Sequence, residues 1–408
     1  MFRVFFTIVN IAQSSHSLRM DLENKYPSLD DIKRRAKSRL PHFAWEYVDS
    51  ATGKEDQKHR NRTALDRILF HTKILQGEYT PDISTRFLGH DFATPFGIAP
   101  IGMSGMIWPN AEPILADKGR EHNIPYSMST VATLTPETIA PHLGEHAWFQ
   151  FYPARDLEIR SDMIKRARAA GFTTLVLTVD VPMTSIRERQ KRAQLTIPPR
   201  ITPNMIWQSI THPTWAMGIL KHGKPRLRFA EDYLKLGGKV SSTAHAGYVI
   251  RGMPDWDYLA SLRDMWDGPM IVKGVTTPDD ATRLAQTGID AIWVSNHTGR
   301  QFDGGLDSIS MLPPIRTALG PHFPVIFDSG VETGLDIIRA YALGADFVML
   351  GRAFHYALAA FGATGIDHLI NILRADIESN LAQMGAKNLK QASKMLALTE
   401  NQPQIAPK

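Results

Sequence analysis

Two residues that could do chemistry together, His297 and Arg300, follow the apolar run 289–294, a pattern typical of a buried parallel strand. An imidazole changes its charge near neutral pH, so it can take up a proton from a substrate. A guanidinium can hold a carboxylate through two parallel N–H bonds. The pair therefore indicates proton abstraction beside an anionic substrate, although a solvated surface turn also commonly contains these two residue types.

Other residues with chemical potential also end apolar runs of the sequence. Asp180 could cap a helix, or it could stabilise a protonated histidine and fix its orientation. Lys273 lies in an apolar stretch, where an ammonium group is costly without an anionic partner. Gln150 and Tyr152 end a third run, and the Tyr152 phenol could either fill space or donate to a substrate oxygen.

Two glycine-containing turns suit phosphate binding. The first is DSGVETG, with Asp328 and Gly330, and the second is GRAF, which begins with Gly351 and Arg352. Glycine also serves tight turning alone. Backbone N–H groups of two such turns, together with a helix N-terminus, nevertheless form the phosphate site of many barrel enzymes. Because both turns have this composition, we predict a phosphorylated cofactor.

From Phe96 onward, eight short apolar runs alternate with helical patterns, and each run is nearly all apolar, as in strands covered on both faces. This pattern predicts an α/β fold of the (β/α)8 TIM-barrel type, in which residues at the C-terminal ends of the strands do the chemistry. Two half-size open sheets are the alternative, but no Gly-x-Gly-x-x-Gly turn follows the first strand. The runs lie at 96–102, 124–130, 146–152, 174–180, 270–275, 291–296, 324–330 and 347–351.

The predicted barrel occupies residues 96–365. We expect residues 1–20 to form a disordered leader. Residues 21–95 should form a helical extension, with two helices split at Pro41, that packs across one end of the barrel. Residues 366–408 are expected to add C-terminal helices and a tail.

A long insert at 188–253 follows the fourth strand and carries few helix or strand signals, which predicts a functional loop. Residues 187–228 contain nine Lys or Arg and one Glu, interleaved with Trp207 and Trp215. Such a segment suits peripheral contact of 188–228 with an anionic membrane surface. It also suits a solvated basic loop whose Trp side chains pack on the barrel.

The composition restricts the classes of function. The chain has 43% hydrophobic and 21% charged residues, which is typical of a globular protein, and a formal net charge of +5. It contains no cysteine, which excludes disulfides, thiolate metal sites, iron–sulfur clusters and a cysteine nucleophile. The positive excess suits an anionic ligand or membrane surface and is too small to indicate nucleic acid. We predict no metal site and no nucleic-acid partner.

Over residues 26–398 the sequence resembles the FMN-dependent 2-hydroxy acid dehydrogenases and oxidases. The matching stretches are SNHTGRQFD, DSGVETGLDIIRAYALGADFVMLGRAF, LTVDVP and IVKGV. The resemblance implies a TIM barrel that binds FMN as its cofactor. The stretch THPTWAMGILKHGKPR is also similar to the corresponding insert of bacterial membrane-associated L-lactate dehydrogenases.

The resemblance also implies roles for individual residues. The catalytic residues would be the base His297, with Asp180 supporting its charged form, and Tyr152, facing the substrate hydroxyl. The residues that bind the substrate carboxylate would be Tyr47, Arg187 and Arg300. Lys273 would lie near N1 and O2 of the flavin and stabilise the anionic reduced ring. The other residues that contact FMN would be Ala99, Pro100, Ile101, Ser129, Gln150, Thr178, Ser295, Asp328, Gly330, Gly351 and Arg352.

Two positions depart from the family pattern. Val131 stands where glycolate oxidase has a Trp, so we expect a wider or differently shaped pocket. Glu332 stands in the turn after the seventh strand, where many members have an Arg. This removes a phosphate contact and leaves Arg352 and the backbone to balance the phosphate charge.

We therefore predict oxidation of an L-2-hydroxy acid to the 2-oxo acid, with FMN receiving two electrons and a quinone or similar acceptor reoxidising it. An oxidase that passes the electrons to oxygen and forms hydrogen peroxide is the alternative. Two other functions are less favoured alternatives. A non-catalytic nucleotide-binding barrel would not require His297, Asp180 and Arg300 to lie close together. Isomerisation of isopentenyl diphosphate would not require a pair of arginines that bind a carboxylate. The resemblance further implies a homo-oligomer, a tetramer, in the cytoplasm with peripheral contact to the inner face of the cell membrane.

Overall fold

Eight parallel strands close into a barrel in the computed structural model, which describes residues 21–195, 201–234 and 252–397. A two-stranded antiparallel hairpin, β1 and β2, precedes them. The ten strands are β1 (Thr85–Phe87), β2 (His90–Phe92), β3 (Phe96–Ile98), β4 (Tyr126–Ser129), β5 (Ala147–Phe151), β6 (Thr174–Thr178), β7 (Met270–Val275), β8 (Ala291–Val294), β9 (Val325–Phe327) and β10 (Phe347–Leu350). Each predicted apolar run contains one barrel strand, and β10 pairs with β3, so the predicted TIM barrel is confirmed.

Helices surround the barrel. In chain order they are α1 (Leu29–Arg39), α2 (His42–Asp49), α3 (Asp56–Asp66), α4 (Ser104–Ile107), α5 (Ala111–Glu121), α6 (Pro136–Ile139), α7 (Leu157–Ala169), α8 (Glu188–Arg192), α9 (Pro203–Ile210), α10 (Pro213–His222), α11 (Arg228–Leu234), α12 (Trp256–Met265), α13 (Pro278–Ala285), α14 (Ser308–Leu319), α15 (Gly334–Ala342), α16 (Arg352–Phe361) and α17 (Ala363–Met384). No helix among the described residues combines the length and the apolar composition that crossing a membrane requires.

The barrel strands are apolar on both faces because the lumen and the outer helices both exclude water. The buried side chains that fill the lumen include Trp148, Val176, Ile271, Trp293, Ile326 and Phe347. Phe87 and Phe92 of the hairpin pack against Phe347 at the start of β10, each with ring centroids 5.2 Å apart. The hairpin therefore closes the N-terminal end of the barrel, and the C-terminal ends of the strands remain for a site.

Capping residues explain where two of the helices around the barrel begin. Asp156, the predicted N-cap of α7, accepts hydrogen bonds from the backbone N–H groups of Glu158 and Ile159. Thr333 forms a capping box with Asp336 at the start of α15. At α7 and α15 these local signals place the helix start directly after the turn that follows a strand.

The insert is more regular than its sequence pattern predicts. Its described part contains four helices, α8 to α11, while residues 196–200 and 235–251 lie outside the described residues. Helices α9 and α10 each begin with a proline at the first helical position, Pro203 and Pro213, where the missing N–H costs nothing. These helices have only 8 and 10 residues, so apolar periodicity alone does not reveal them.

The N-terminal extension contains the two helices predicted on either side of Pro41, namely α1 and α2. Helix α17 spans the predicted boundary at residue 365, which therefore does not coincide with an element boundary. The other domain boundaries stay predictions. The predicted leader 1–20 and the last residues of the predicted tail, 398–408, lie outside the described residues.

Candidate active site

Buried polar side chains form a continuous belt around the C-terminal ends of neighbouring strands. Ser129 at the end of β4 donates a hydrogen bond of 2.9 Å to the amide oxygen of Gln150 on β5. The amide nitrogen of Gln150 in turn donates to the hydroxyl of Thr178 on β6, also at 2.9 Å. The belt therefore presents one amide and two hydroxyls, in fixed orientations, to a group lying at this end of the barrel.

Lys273 on β7 continues the belt. Its ammonium donates to the Ser295 hydroxyl at 2.6 Å and lies 3.3 Å from the Asp328 carboxylate, so the buried ammonium has the anionic partner that it needs. Burial alone would lower the pKa of Lys273, but the carboxylates of Asp328 and Asp180 raise that pKa above its ordinary value. The buried ammonium is therefore charged at neutral pH.

His297 and Asp180 form a partly buried pair although 117 residues separate them. Both carboxylate oxygens of Asp180 lie 3.1 Å from Nδ1 of His297, so Nδ1 carries the proton and Nε2 can accept another. Burial lowers the pKa of His297 below its ordinary value despite the opposing effect of Asp180. Burial alone would raise the pKa of Asp180, but His297 and Lys273 lower it. At neutral pH the pair is a neutral imidazole beside a carboxylate, as a general base requires.

The turn that carries His297 has an uncommon backbone. His297 and Thr298 have φ angles of 54° and 52°, in the left-handed region that residues other than glycine rarely adopt. The Ser329 hydroxyl, after β9, accepts the N–H of Thr298 at 3.1 Å and so holds the turn. Sequence reasoning missed Ser329, for which the only signal was its place in the DSGVETG turn. Backbone strain of this kind clusters at functional sites, where the surrounding structure maintains it.

The N-terminal extension supports the same turn. Asn61 of α3 and Asn296 exchange two amide hydrogen bonds, at 3.0 and 2.7 Å, and both side chains are buried. Asn61 also accepts the backbone N–H of Ser308 at 3.1 Å. Sequence reasoning missed Asn61, because a contact across 235 residues leaves no local pattern.

Arg300 is a partly buried cation at the edge of this site. One of its terminal nitrogens donates to the backbone carbonyls of Tyr47 and Ser50, each at 2.9 Å, and the guanidinium lies 5.4 Å from the centre of the Tyr47 ring. Burial and the neighbouring Arg187 lower the pKa of Arg300 to about 9, so it remains charged at neutral pH. Two partly buried guanidinium groups near each other favour an anion between them, because neither forms an ion pair with a carboxylate among the described residues.

The second arginine is tied to the first through a serine. The Ser185 hydroxyl accepts from Nε of Arg187 at 3.2 Å and donates to the backbone carbonyl of Arg300 at 2.6 Å. The Tyr47 phenol donates to the Gly102 carbonyl at 2.9 Å. The structure thus brings both arginines and Tyr47 to the rim where His297 lies.

The turns predicted to hold phosphate lie at the starts of α15 and α16. Gly351 precedes α16 without a side-chain cap, so the first N–H groups of that helix are available to an anion. Arg352 donates to the Asp49 carbonyl at 3.2 Å. Glu332 lines the same cavity as Arg352, so a carboxylate does face the region where many family members have an arginine.

A buried histidine joins the two loops that flank this region. His355 donates from Nδ1 to the Gly351 carbonyl at 2.9 Å, and its Nε2 lies 2.7 Å from the Ser104 hydroxyl. The same hydroxyl lies 2.9 Å from the Ile101 carbonyl, after β3. Burial lowers the pKa of His355 to about 4, so the imidazole is neutral. Neither His355 nor Ser104 was among the predicted site residues.

One cavity of about 1080 Å³ contains these groups. The predicted site residues that line it are Tyr47, Ala99, Pro100, Ile101, Ser129, Gln150, Tyr152, Thr178, Arg187, Lys273, His297, Arg300, Asp328, Gly330, Gly351 and Arg352. Asp180 and Ser295 lie behind this lining and contact it through His297 and Lys273. Val131 lines the cavity as well and packs closely on Gly102, whereas a wider pocket at this position stays a prediction.

The charge of the cavity wall suits anionic ligands. Among the described residues, six Lys or Arg side chains line the wall against two carboxylates. The cations are Arg187, Lys224, Arg226, Lys273, Arg300 and Arg352, and the carboxylates are Asp328 and Glu332. A phosphate and a carboxylate would both be favoured inside this wall.

Comparison with known proteins decides the family. Residues 36–398 match the family described as FMN-dependent dehydrogenase. The chain belongs to this family. It is 35% identical to an L-lactate dehydrogenase of Ectopseudomonas mendocina over 91% of this chain and 98% of that protein. An L-lactate dehydrogenase of Pectobacterium atrosepticum is 36% identical over 88% and 93%.

Solved structures show the same likeness in three dimensions. The monotopic membrane protein (S)-mandelate dehydrogenase has a TM-score of 0.84 and 32% identity, covering 91% of this chain and 98% of that one. A mandelate oxidase has a TM-score of 0.76 and 28% identity, with the same coverage. This FMN-dependent dehydrogenase therefore shares its fold with membrane-associated dehydrogenases and with oxidases.

The donors in the cavity fit FMN. The amide, hydroxyl and ammonium groups of the belt match the polar edge of an isoalloxazine ring, which has both hydrogen-bond donors and acceptors. The open N-terminus of α16 and the Arg352 guanidinium match a phosphate.

Proposed function

We propose that this FMN-dependent dehydrogenase oxidises an L-2-hydroxy acid of the L-lactate type to the 2-oxo acid. The observation that carries the proposal is the neutral His297, paired with Asp180, in a cavity that also contains Arg187 and Arg300. The relatives named L-lactate dehydrogenase support this substrate class.

Each residue then has a defined task. Arg187 and Arg300 bind the substrate carboxylate and orient C2, which removes much of the entropic barrier to reaction. Nε2 of His297 takes a proton from the substrate, and the Asp180 carboxylate stabilises the imidazolium that results.

The remaining groups serve the hydroxyl and the flavin. Tyr152, on the wall of the same cavity, contacts the substrate hydroxyl. FMN, when bound, supplies the acceptor for two electrons. Lys273 provides a positive charge where negative charge grows during the reaction.

The His297→Gln variant tests the proposal. It is expected to retain the yellow FMN spectrum and to lose anaerobic bleaching by L-lactate by a factor of about 10² or more. His59→Gln, on the exposed face of α3, is the matched control and should bleach normally. A His297→Gln protein that bleaches at nearly the wild-type rate would remove His297 from the reaction.

Arg300→Met should raise the apparent KM and lower kcat together.

We also propose that the insert rests on the surface of a membrane, on its cytoplasmic face. Trp207 and Leu220 are 66% and 85% exposed, and residues 201–230 contain no Asp or Glu. Trp215 instead packs edge-on against Phe43, so one Trp faces outward and the other anchors the insert. An exposed apolar face beside cations suits anionic lipid headgroups, and the monotopic membrane protein with the same fold supports this proposal.

Sedimentation with anionic vesicles tests the membrane contact. Replacing Trp207 and Leu220 together by Glu should abolish binding, because two charges would enter the apolar layer. Leu157→Glu, at an exposed position on α7, is the control and should leave binding intact. Equal binding by all three proteins would contradict the contact.

We propose a quinone as the physiological acceptor and a homo-oligomer as the assembly. The oxidase alternative keeps support from the mandelate oxidase neighbour. Measuring hydrogen peroxide beside quinone reduction separates the two acceptors, and light scattering measures the assembly.

A further inference from the structure

We divide the cavity into two parts by the chemistry of the residues that line it. The inner part contains the polar belt, His297 and the arginines. The outer part, which we call the apolar chamber, lies between the barrel rim and helices α9 and α10 of the insert. The side chains that line the chamber include Met106, Leu195, Met205, Ile210, Trp215 and Ile219.

Specific contacts fix one wall of the chamber, helix α10, against the barrel. Nε1 of Trp215 donates to the Met106 carbonyl at 3.1 Å, and the Trp215 ring meets Phe43 edge-on with centroids 5.4 Å apart. A Cβ on Gly218 of α10 would lie 2.7 Å from the Pro109 ring, so the helix is seated directly against the barrel rim. The contacts of Trp215 and Gly218 thus hold α10 against the barrel rim.

The chamber opens through the outer face of the insert. Ile206, Ile210 and Leu220 line the cavity and are also 51%, 64% and 85% exposed, which places the opening between them. The exposed side chains of Trp207 and Met217 lie on the same two helices. The opening is therefore in the apolar surface that we propose contacts the membrane.

We infer that the apolar chamber admits a lipid-soluble quinone from the membrane and holds its apolar tail while its ring approaches the inner part of the cavity. This inference rests on the proposed function. A hydroxy acid is an anion, whose entry through an apolar opening would cost its hydration, whereas its polar groups are satisfied in the inner part. A quinone with an apolar tail gains from burial along the same wall. The Lys224 ammonium, which also lines the cavity, suits the headgroup layer at the opening, whereas the neighbouring Arg226 pairs with Glu231 at 2.6 Å.

The reaction balances with this acceptor. The substrate loses the hydrogen on C2 and the hydroxyl hydrogen, and a C=O double bond forms between C2 and oxygen. The two electrons and two protons end in the two O–H bonds of the quinol, so no further oxidant is required.

Stopped-flow reoxidation of the reduced holoenzyme tests the inference in the wild-type protein. Quinones with one headgroup and tails from methyl to decyl are compared at equal concentration. The rate is expected to rise about tenfold or more along the series, because longer tails bury more apolar surface. A rate independent of tail length would overturn the inference. A second result would also overturn it. If the rate of flavin reduction rose equally when the 2-hydroxy acid carried a longer alkyl chain, the chamber would bind the substrate and not the quinone.

A pair of neighbouring substitutions locates the site. Ala216→Trp places an indole inside the chamber, whereas Met217→Trp places the same group on the exposed side of α10. Ala216→Trp should slow reoxidation by decyl-quinone about tenfold while flavin reduction by L-lactate stays within about twofold of wild type. Met217→Trp should change neither rate. If a folded Ala216→Trp protein were reoxidised at the normal rate, the chamber would not be the acceptor site. If L-lactate failed to reduce the flavin of the wild type, the proposed function would be wrong instead.

Discussion

At the scale of single residues, we propose that the pair of His297 and Asp180 does the chemistry, and burial disfavours the charged form of both partners. Burial favours the uncharged imidazole, so the pKa of His297 is low. Burial also favours an uncharged carboxyl, but the positive groups around Asp180 outweigh it and keep the pKa of that carboxyl low as well. The result at neutral pH is a base that is free of a proton and a carboxylate that is ready to stabilise the protonated form.

The pH dependence of flavin reduction follows from these pKa directions. The base is active when neutral, so the rate should be maximal above the pKa of His297 and fall as the pH drops through it, below the ordinary value of 6.5. Asp180→Asn removes the group that raises the pKa of His297, so the acid limb should move to still lower pH. The plateau rate of flavin reduction, reached above the pKa of His297, should fall by a factor of about 10²–10⁴. Anaerobic stopped-flow reduction across pH measures both, and an unchanged plateau would show that Asp180 does not act on the imidazole.

At the scale of the elements, strand β7 contains a local irregularity that makes room for Asp180. The pairing register of β7 with β8 shifts between Lys273 and Val275. Gly274 between them has φ of 106°, and a Cβ there would lie 2.6 Å from Cβ of Asp180. Only glycine permits both this backbone conformation and the close approach of the carboxylate.

Gly274→Ala should therefore impair the reaction as well as the stability. The positive φ should cost about 1–3 kcal/mol of stability, and the added methyl should displace Asp180 and slow flavin reduction. Gly171→Ala is the matched control, because Gly171 has φ of 98° with no atom within 4 Å of the added Cβ. Both variants should lower the unfolding midpoint, but only Gly274→Ala should slow reduction. Equal reduction rates in the two variants would contradict the argument.

At the scale of the whole molecule, the N-terminal extension is part of the site's support. Arg62 of α3 pairs with Asp336 of α15 at 2.6 Å, and Arg339 pairs with the same carboxylate at 2.8 Å. Asp336 is fully buried. Together with the amide pair between Asn61 and Asn296, this ion pair attaches the extension to the turns after β8 and β9.

Removing the Asp336 charge should destabilise the protein in a pH-dependent way. Burial alone would raise the pKa of Asp336, but Arg62 and Arg339 lower it below 3.8. The stabilisation is therefore present above pH 3.8 and is lost as the pH falls through the lower pKa of the folded state.

Asp336→Asn should cost about 3–5 kcal/mol near neutral pH, because two arginines lose a buried partner. The difference in free energy of unfolding between Asp336→Asn and the wild type should shrink in strong acid. Urea unfolding at several pH values measures this difference. Asp66→Asn is the control, because Asp66 contacts the same two arginines from an exposed position and should cost less than about 1 kcal/mol. Equal costs would show that burial is not decisive.

The sequence by itself determined the local elements and the kind of chemistry. Nearly all-apolar runs predicted the barrel strands, because parallel strands are covered on both faces. Asp156 predicted the start of α7 through capping. His297 and Arg300 predicted a base beside an anion-binding group, because these properties belong to the side chains themselves.

Only the tertiary structure decided which distant residues meet. Asn61 reaches the His297 turn through α3, and Ser104 reaches His355 across the loops after β3 and β10. The apolar chamber exists only because α9 and α10 fold back over the barrel rim. Periodicity and capping act over a few residues and are therefore visible in the chain. Contacts across hundreds of residues depend on how the barrel closes and packs, and this information is spread over the whole sequence.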